Sequence, residues 1–175
     1  MSSTKDTPLV VTGGCLCAAI RYELSFDKHS QWPPLSETCQ CTICRKWTGS
    51  LIYQYLNISP DQISPPLSAS PTYREFNSSP NRYRGFCGQC GTSLTWRSDR
   101  DGEAGKCDLS LGTIDERWLT EIGEHGLGKM LCMPSGAQYW RCHAIEGVTD
   151  YPPDGTIFLA GKDDGPSTKE DSQVW

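Results

Sequence analysis

The 175-residue sequence predicts a single, mainly β domain with few short helices, organised around metal-binding cysteines. Three observations carry that expectation. Residues 18–24 alternate in period two, with Ala18, Ile20, Tyr22 and Leu24 on one face and Ala19, Arg21 and Glu23 on the other, as a half-buried strand requires. Residues 51–58 form an aromatic and β-branched run suited to a pleated sheet. Seven cysteines fall into three short clusters, two of them directly attached to expected strands.

In chain order, residues 1–9 read as a polar leader whose last residue opens a short strand over 9–12, ended by Gly13 and Gly14. The strand over 18–24 follows the first cysteine pair. Residues 25–38 contain Trp32-Pro33-Pro34, which neither a helix nor a central strand accepts, and read as a loop. Residues 45–50 connect the second cluster to the strand over 51–58. Pro60, Pro65, Pro66 and Pro71 make 59–71 an exposed loop. Strands over 73–76 and 82–86 are joined by the turn-forming stretch 77–81, and strands over 93–97 and 106–111 by the turn 99–102. Asp115 could cap one helical turn over 115–119. Residues 120–138 are dotted with glycine and show no period, whereas 139–144 are apolar enough to pack on a sheet. The domain is expected to span 10–160, with 161–175 a charged, small-residue tail that stays disordered apart from a candidate contact by Trp175.

The cysteine spacing carries the chemistry. Cys39, Cys41 and Cys44 lie within six residues, and the Cys41/Cys44 pair has the spacing that lets two sulfurs reach one zinc from a tight turn. Cys15 and Cys17 lie upstream; Cys87 and Cys90 lie downstream, flanked by Gly88 and Gly91. Those four thiols can make one complete tetrahedral site, which leaves the trio to a metal of its own. Two Zn2+ ions per chain are therefore expected. Three thiolates and a vacant position make a Lewis acid able to bind a substrate or water. The bland alternative, scattered thiols or disulfides, fits less well, because a C-x-C pair and a C-x2-C pair occur together.

Composition narrows the partners. The start of the chain has no basic region followed by an apolar stretch, so no export signal is expected and the ten cysteines should stay reduced in a cytoplasmic protein. No apolar run approaches the roughly 20 residues needed to span a bilayer, so no membrane association is expected. A net charge of -5 and a pI near 5.2 remove the electrostatic basis for general nucleic-acid binding.

The order of motifs resembles one known family. Gly13-Gly14-Cys15-Leu16-Cys17, then Cys39-x-Cys41-x2-Cys44-Arg45, then Gly85-Phe86-Cys87-x2-Cys90-Gly91-Thr92-Ser93-Leu94 is similar to the glutathione-dependent formaldehyde-activating enzymes, also called the CENP-V/GFA domain family, over roughly residues 10–115. The resemblance implies twisted antiparallel sheets around zinc centres. It implies a structural zinc on Cys15, Cys17, Cys87 and Cys90 and a catalytic zinc on Cys39, Cys41 and Cys44. It also implies addition of the glutathione thiol to formaldehyde, classed as carbon-sulfur lyase chemistry. Gln40 departs from the family, whose members often carry histidine there, and the proline-rich loops are longer than in compact bacterial forms.

Arg45, Lys46 and Trp47 follow the trio and are the candidate residues for binding a glutathione-like small molecule. Arg82 and Arg84 could likewise neutralise carboxylates, although each of these cations also reads as ordinary surface charge. Trp47 and Tyr53 are candidate pocket walls or core residues. His29, His125 and His143, with Cys132 and Cys142, are the remaining candidates for a fourth ligand or a base, and none has ligand spacing to a cysteine pair beyond the adjacent Cys142 and His143. Cys107, on the same strand face as Leu109 and Leu111, reads as a core residue. Three functions follow: a zinc lyase acting on a thiol adduct or small electrophile; a non-catalytic zinc module resembling small-GTPase chaperones, which a closed trio would favour; or the same Lewis acid recruited for ring closure, dehydration or isomerisation in natural-product metabolism. The oligomeric state is not legible in the sequence.

Overall fold

The computed structural model describes residues 9–27, 31–100, 105–120, 127–150 and 156–157. The leader up to residue 8, His29, His125 and the tail 161–175 with Trp175 lie outside the described residues. Eleven strands and three short α-helices are present among those described. They are β1 (Leu9–Gly14), β2 (Arg21–Phe26), β3 (Ser36–Cys39), α1 (Thr42–Thr48), β4 (Tyr53–Ile58), β5 (Ile63–Ser64), β6 (Tyr73–Ser79), β7 (Arg82–Cys87), β8 (Ser93–Ser98), β9 (Cys107–Ser110), α2 (Glu116–Leu119), α3 (Gly128–Cys132), β10 (Ala137–Tyr139) and β11 (Thr156–Ile157).

The mainly β expectation holds. A three-stranded sheet runs β1-β2-β5 and an eight-stranded sheet runs β11-β10-β3-β4-β9-β8-β7-β6. The larger sheet is mixed rather than wholly antiparallel, because β10 lies parallel to both β3 and β11. A long connection from β3 to β10 permits that arrangement, which a hairpin would not.

Pairing register divides the large sheet into two faces with different chemistry. Leu56 stands opposite Leu109, Ile58 opposite Cys107 and Thr95 opposite Leu109, on the face that meets the small sheet. With Val11, Tyr22, Leu24, Phe26 and Ile63 they form the main core, where each fully buried large apolar side chain contributes about 1.5–3 kcal/mol. Cys107 belongs to this core, as read from its strand pattern. On the other face Cys39 stands opposite Tyr53, Tyr55 opposite Ser110, Asn57 opposite Asp108, and Trp96 opposite both Asp108 and Arg84. This second face is polar and aromatic, and it carries the cysteine trio.

Several local expectations are corrected. The strand expected over 18–24 begins only at Arg21, because residues 15–20 close a turn in which the Ala18 amide donates to the Cys15 carbonyl and Ala18 takes a φ of 60°. The loop expected over 25–38 yields β3 at its end; Ser36, Glu37 and Thr38 lack apolar alternation because the strand is sandwiched between β4 and β10. Residues 42–48 are helical and not part of the trio's simple exit to a strand. The loop 59–71 contributes β5, and the unplaced stretch 120–138 contributes α3 and the start of β10. Of 139–144 only Tyr139 is in a strand; Trp140 is left-handed, with a φ of 60°. Asp115 does not cap α2 with its side chain. Its carboxylate instead accepts two bonds from Arg21, at 2.8 and 2.5 Å, and one from Thr12 at 2.5 Å, fastening β1 and β2 to the start of the helix.

Asp108 is the unusual buried group of the second face. Its carboxylate accepts one bond from the Asn57 amide at 2.9 Å, and burial pushes its pKa well above the ordinary carboxylate value despite the Asn57 bond. A carboxyl whose folded pKa is raised binds its proton more tightly in the folded state, so its contribution is present below the unfolded pKa and is lost as pH rises through the folded one. Asp108→Asn, which keeps the shape without the charge, should therefore raise the unfolding temperature at pH 8 by a few degrees and raise it less at pH 5. Thermal melts at the two values check this; an equal loss at both would mean that the carboxylate itself is needed.

Candidate metal centres

The four-cysteine cluster sits where the two sheets meet. Cys15 follows β1 and Cys17 lies in the turn before β2, whereas Cys87 ends β7 and Cys90 follows in the adjoining knuckle. The knuckle turns because Gly91 takes a left-handed φ of 79°, and its amide donates back to the Cys87 carbonyl at 2.8 Å. The Ile20 amide donates to the Cys15 sulfur at 3.2 Å. Cys17 Sγ lies 3.6 Å from Cys15 Sγ and 3.8 Å from Cys87 Sγ, against the separation of about 3.8 Å that tetrahedral zinc with Zn–S bonds of about 2.3 Å would set. All four sulfurs lie within 4.8 Å of one another. The Thr92 hydroxyl and backbone amide hold the Cys90 thiol down at about 5, which favours the thiolate a metal needs.

The trio is assembled by a strand end and a helix start. Cys39 is the last residue of β3, Cys41 is the N-cap of α1, and Cys44 occupies the first turn, so the Cys44 amide donates to the Cys41 sulfur at 3.3 Å. Their sulfurs also lie within 4.8 Å of one another, and no His, Cys, Asp or Glu among the described residues joins them as a fourth. Bonds from the Cys39 and Cys44 thiols, with those from the Cys44 and Ile43 amides, hold the Cys41 thiol far below its usual value. The Cys39 thiol moves the opposite way, chiefly through its bonds to Cys41 and Cys44. Crowding thus opposes ionisation of all three thiols together, and a cation among them relieves that cost. Both clusters therefore fit a soft divalent metal by donor type and by spacing.

An aromatic wall encloses the trio. Tyr53 and Tyr55 stack at 4.9 Å, Trp47 meets the Tyr53 ring edge-on at 5.1 Å, and Tyr139 and Trp140 pack against the same cluster. Burial drives the Tyr53 phenol well above its ordinary pKa, so it stays neutral, and it accepts a bond from the Ser110 hydroxyl at 3.3 Å. A cleft of about 690 Å3 opens beside this wall. The trio sulfurs do not line it; Trp47 and Tyr53 stand between, touching the cysteines on one side and the cleft on the other. The far end is lined by Cys90, Gly91 and Thr92 of the four-cysteine cluster.

The sequence profile described as glutathione-dependent formaldehyde-activating enzyme matches residues 10–125, which contain both cysteine clusters. The chain belongs to that family. Among solved structures, a protein of Rhodobacter sphaeroides is 16% identical with a TM-score of 0.45, and the alignment covers 63% of this chain and 95% of that one. No curated protein matches the sequence significantly. Family membership and two thiol clusters agree with zinc as the metal.

The residues expected to bind a glutathione-like molecule separate in space. Lys46 and Trp47 line the cleft, whereas Arg45 is not among its lining residues. Arg82 instead lies over Trp96, with its guanidinium carbon 6.0 Å from the ring centre. Gln40, the departure from the family pattern, is buried with both ends of its amide engaged: it donates to the Thr149 carbonyl at 3.0 Å and accepts from the Thr149 hydroxyl at 2.7 Å. It fastens the 140–149 segment and offers nothing to the trio. His143 stacks near Trp140 with ring centres 5.3 Å apart, but neither it, Cys132 nor Cys142 joins the trio. Arg84, expected with Arg82 only as a partner for carboxylates, instead reaches the trio, its Nη2 lying 3.6 Å from the Cys44 sulfur. Its signal was an arginine in mid-strand three positions from the inward Cys87, an odd spacing that turns it toward the other face.

Proposed function

We propose that this protein is a zinc-dependent enzyme of carbon-sulfur bond chemistry that acts on the adduct of a glutathione-like thiol with a small aldehyde. The observation that supports this reading is the trio itself: three sulfurs converge and no fourth ligand among the described residues closes the set. In this reading Cys15, Cys17, Cys87 and Cys90 hold a structural ion, and Cys39, Cys41 and Cys44 hold the catalytic one. Zinc bound there would lower the pKa of a thiol ligand or polarise an aldehyde. The chain supplies the rest. Trp47, Tyr53 and Tyr55 keep water from one side of the sulfurs, and the neutral Tyr53 adds no competing negative charge. The ammonium of Lys46, exposed at the cleft, receives a carboxylate of a thiol substrate that reaches from the trio past the edge of Trp47; the hydroxyls of Thr48, Ser50, Ser93 and Thr113 already donate to the Cys44, Ile52, Trp47 and Ser110 carbonyls and shape the cleft wall. The chaperone-like alternative called for a closed trio, which the described residues do not provide.

Protein purified without chelator should contain two zinc ions per chain by elemental analysis. With cobalt in their place, sulfur-to-metal absorption should rise when glutathione is added, and the affinity should increase as pH approaches the free thiol's pKa, because the metal binds the thiolate. One metal per chain, or a cobalt spectrum indifferent to every thiol, would remove the proposal.

A further inference from the structure

Arg84 lies in the interior of β7 and is only 5% exposed, an expensive place for a guanidinium unless its donors are used. Its Nε donates to the Ser78 hydroxyl at 3.1 Å, and its Nη2 points to the Cys44 sulfur at 3.6 Å. The planar group lies over the Trp47 ring, with its carbon 4.9 Å from the ring centre. Its third nitrogen, Nη1, is buried and has no hydrogen-bond partner, and the same is true of Trp47 Nε1. Buried donors are nearly always satisfied in folded proteins. Two unsatisfied donors on stacked neighbours, one of them on a guanidinium that reaches Cys44 of the trio, mark a place prepared for an acceptor oxygen.

Resting on the function proposed above, we propose that Arg84 is the residue that recognises the oxygen of the substrate at the trio. One guanidinium spans both tasks: Nη2 neutralises the Cys44 sulfur while Nη1 faces the substrate, a division that the rigid fork of arginine permits and the single ammonium of lysine does not. The ligand class is a hemithioacetal, with its oxygen on the carbon next to sulfur, or a thiol with an acceptor oxygen on the atom one bond beyond that carbon. In the forward step the thiolate lone pair forms the carbon-sulfur bond, the carbonyl π pair moves to oxygen, and the alkoxide accepts a hydrogen bond from Nη1. Water then supplies the proton that completes the hydroxyl. A donor that is already buried and aimed at the developing negative charge acts on it strongly, because it needs no reorganisation when the charge forms.

The test uses cobalt-loaded full-length protein and two small thiols: mercaptoacetate, whose carboxylate stands in for the alkoxide, and ethanethiol, which has no oxygen. Each is titrated against the sulfur-to-cobalt absorption of the wild type, Arg84→Lys and Arg84→Met. The wild type should bind mercaptoacetate at least about ten-fold more tightly than ethanethiol, the contribution expected of a charged hydrogen bond. That preference should vanish in Arg84→Met and shrink at least about three-fold in Arg84→Lys. Should Arg84→Met fail to fold with two metals, the wild type and the lysine variant still decide. Equal binding of both thiols by the wild type, or a preference that survives the substitutions, overturns the role of Arg84 and leaves the open coordination position standing. A spectrum that responds to neither thiol overturns both.

Discussion

Cys87→Ser is expected to leave almost no folded protein. Cys87 is wholly buried, and both it and Cys15 belong to the main core, so their cluster joins the turn between β1 and β2 to the end of β7. Outside that junction the small sheet is short: β5 contributes two residues, and the pairs Arg21–Asp115 and Thr12–Asp115 lie toward the surface. A structural zinc supplies on the order of 10 kcal/mol of folding free energy at neutral pH, comparable with the whole stability of a domain of this size. Loss of one ligand should therefore send Cys87→Ser into the insoluble fraction or, where some remains soluble, abolish its near-ultraviolet circular dichroism. Recovery of soluble, cooperatively unfolding protein with two zinc ions would contradict the structural assignment of this cluster.

Cys41→Ser is expected to do the reverse. The trio lies on the other face of the large sheet, in a separate cluster with Tyr53 and Tyr55, and Cys41 is half-exposed at the start of a seven-residue helix. A serine can still cap that helix, since its hydroxyl accepts from the same amide, so the fold should persist with one metal per chain. Catalysis should fall by more than about 100-fold, since even residues that merely support a metal ligand cost 10–100-fold when changed. The cobalt response to glutathione should disappear with it. Elemental analysis, melting and consumption of the thiol-aldehyde adduct separate the outcomes; a variant as unstable as Cys87→Ser would mean that the two clusters do not divide the labour.

The strands that could be read in advance were those whose sequence carries their environment. Residues 82–86 and 93–97 pair in long antiparallel ladders and lie close to where the flanking turn-forming stretches placed them. β3 and β10 were missed because they are short, polar and buried on both edges, so no period of two survives in Ser36-Glu37-Thr38 or in Ala137-Gln138-Tyr139. Helix α1 was missed because its start signal is a cysteine, Cys41, whose sulfur acts in the place of the usual cap oxygen. Asp115 matched the pattern of a cap and was drawn instead to Arg21, 94 residues away, because a charged, bidentate partner binds a carboxylate more strongly than one amide.

What the sequence by itself determined is the inventory of thiols and its grouping into a pair, a trio and a pair, since spacings of one and two residues confine sulfurs to a common turn whatever the rest of the chain does. It also determined the β character of the domain, through alternation that follows from the pleat. Only the tertiary structure decided that Cys15 and Cys17 meet Cys87 and Cys90 across some 70 residues, that the two clusters occupy opposite faces of one sheet, and that Arg84 rather than Arg82 reaches Cys44. Two arginines two positions apart on one strand have the same local pattern. Their fates differ because Arg84 lies beneath Trp47 of α1 and Arg82 lies beside Trp96, and which helix crosses which strand is set by packing between distant segments.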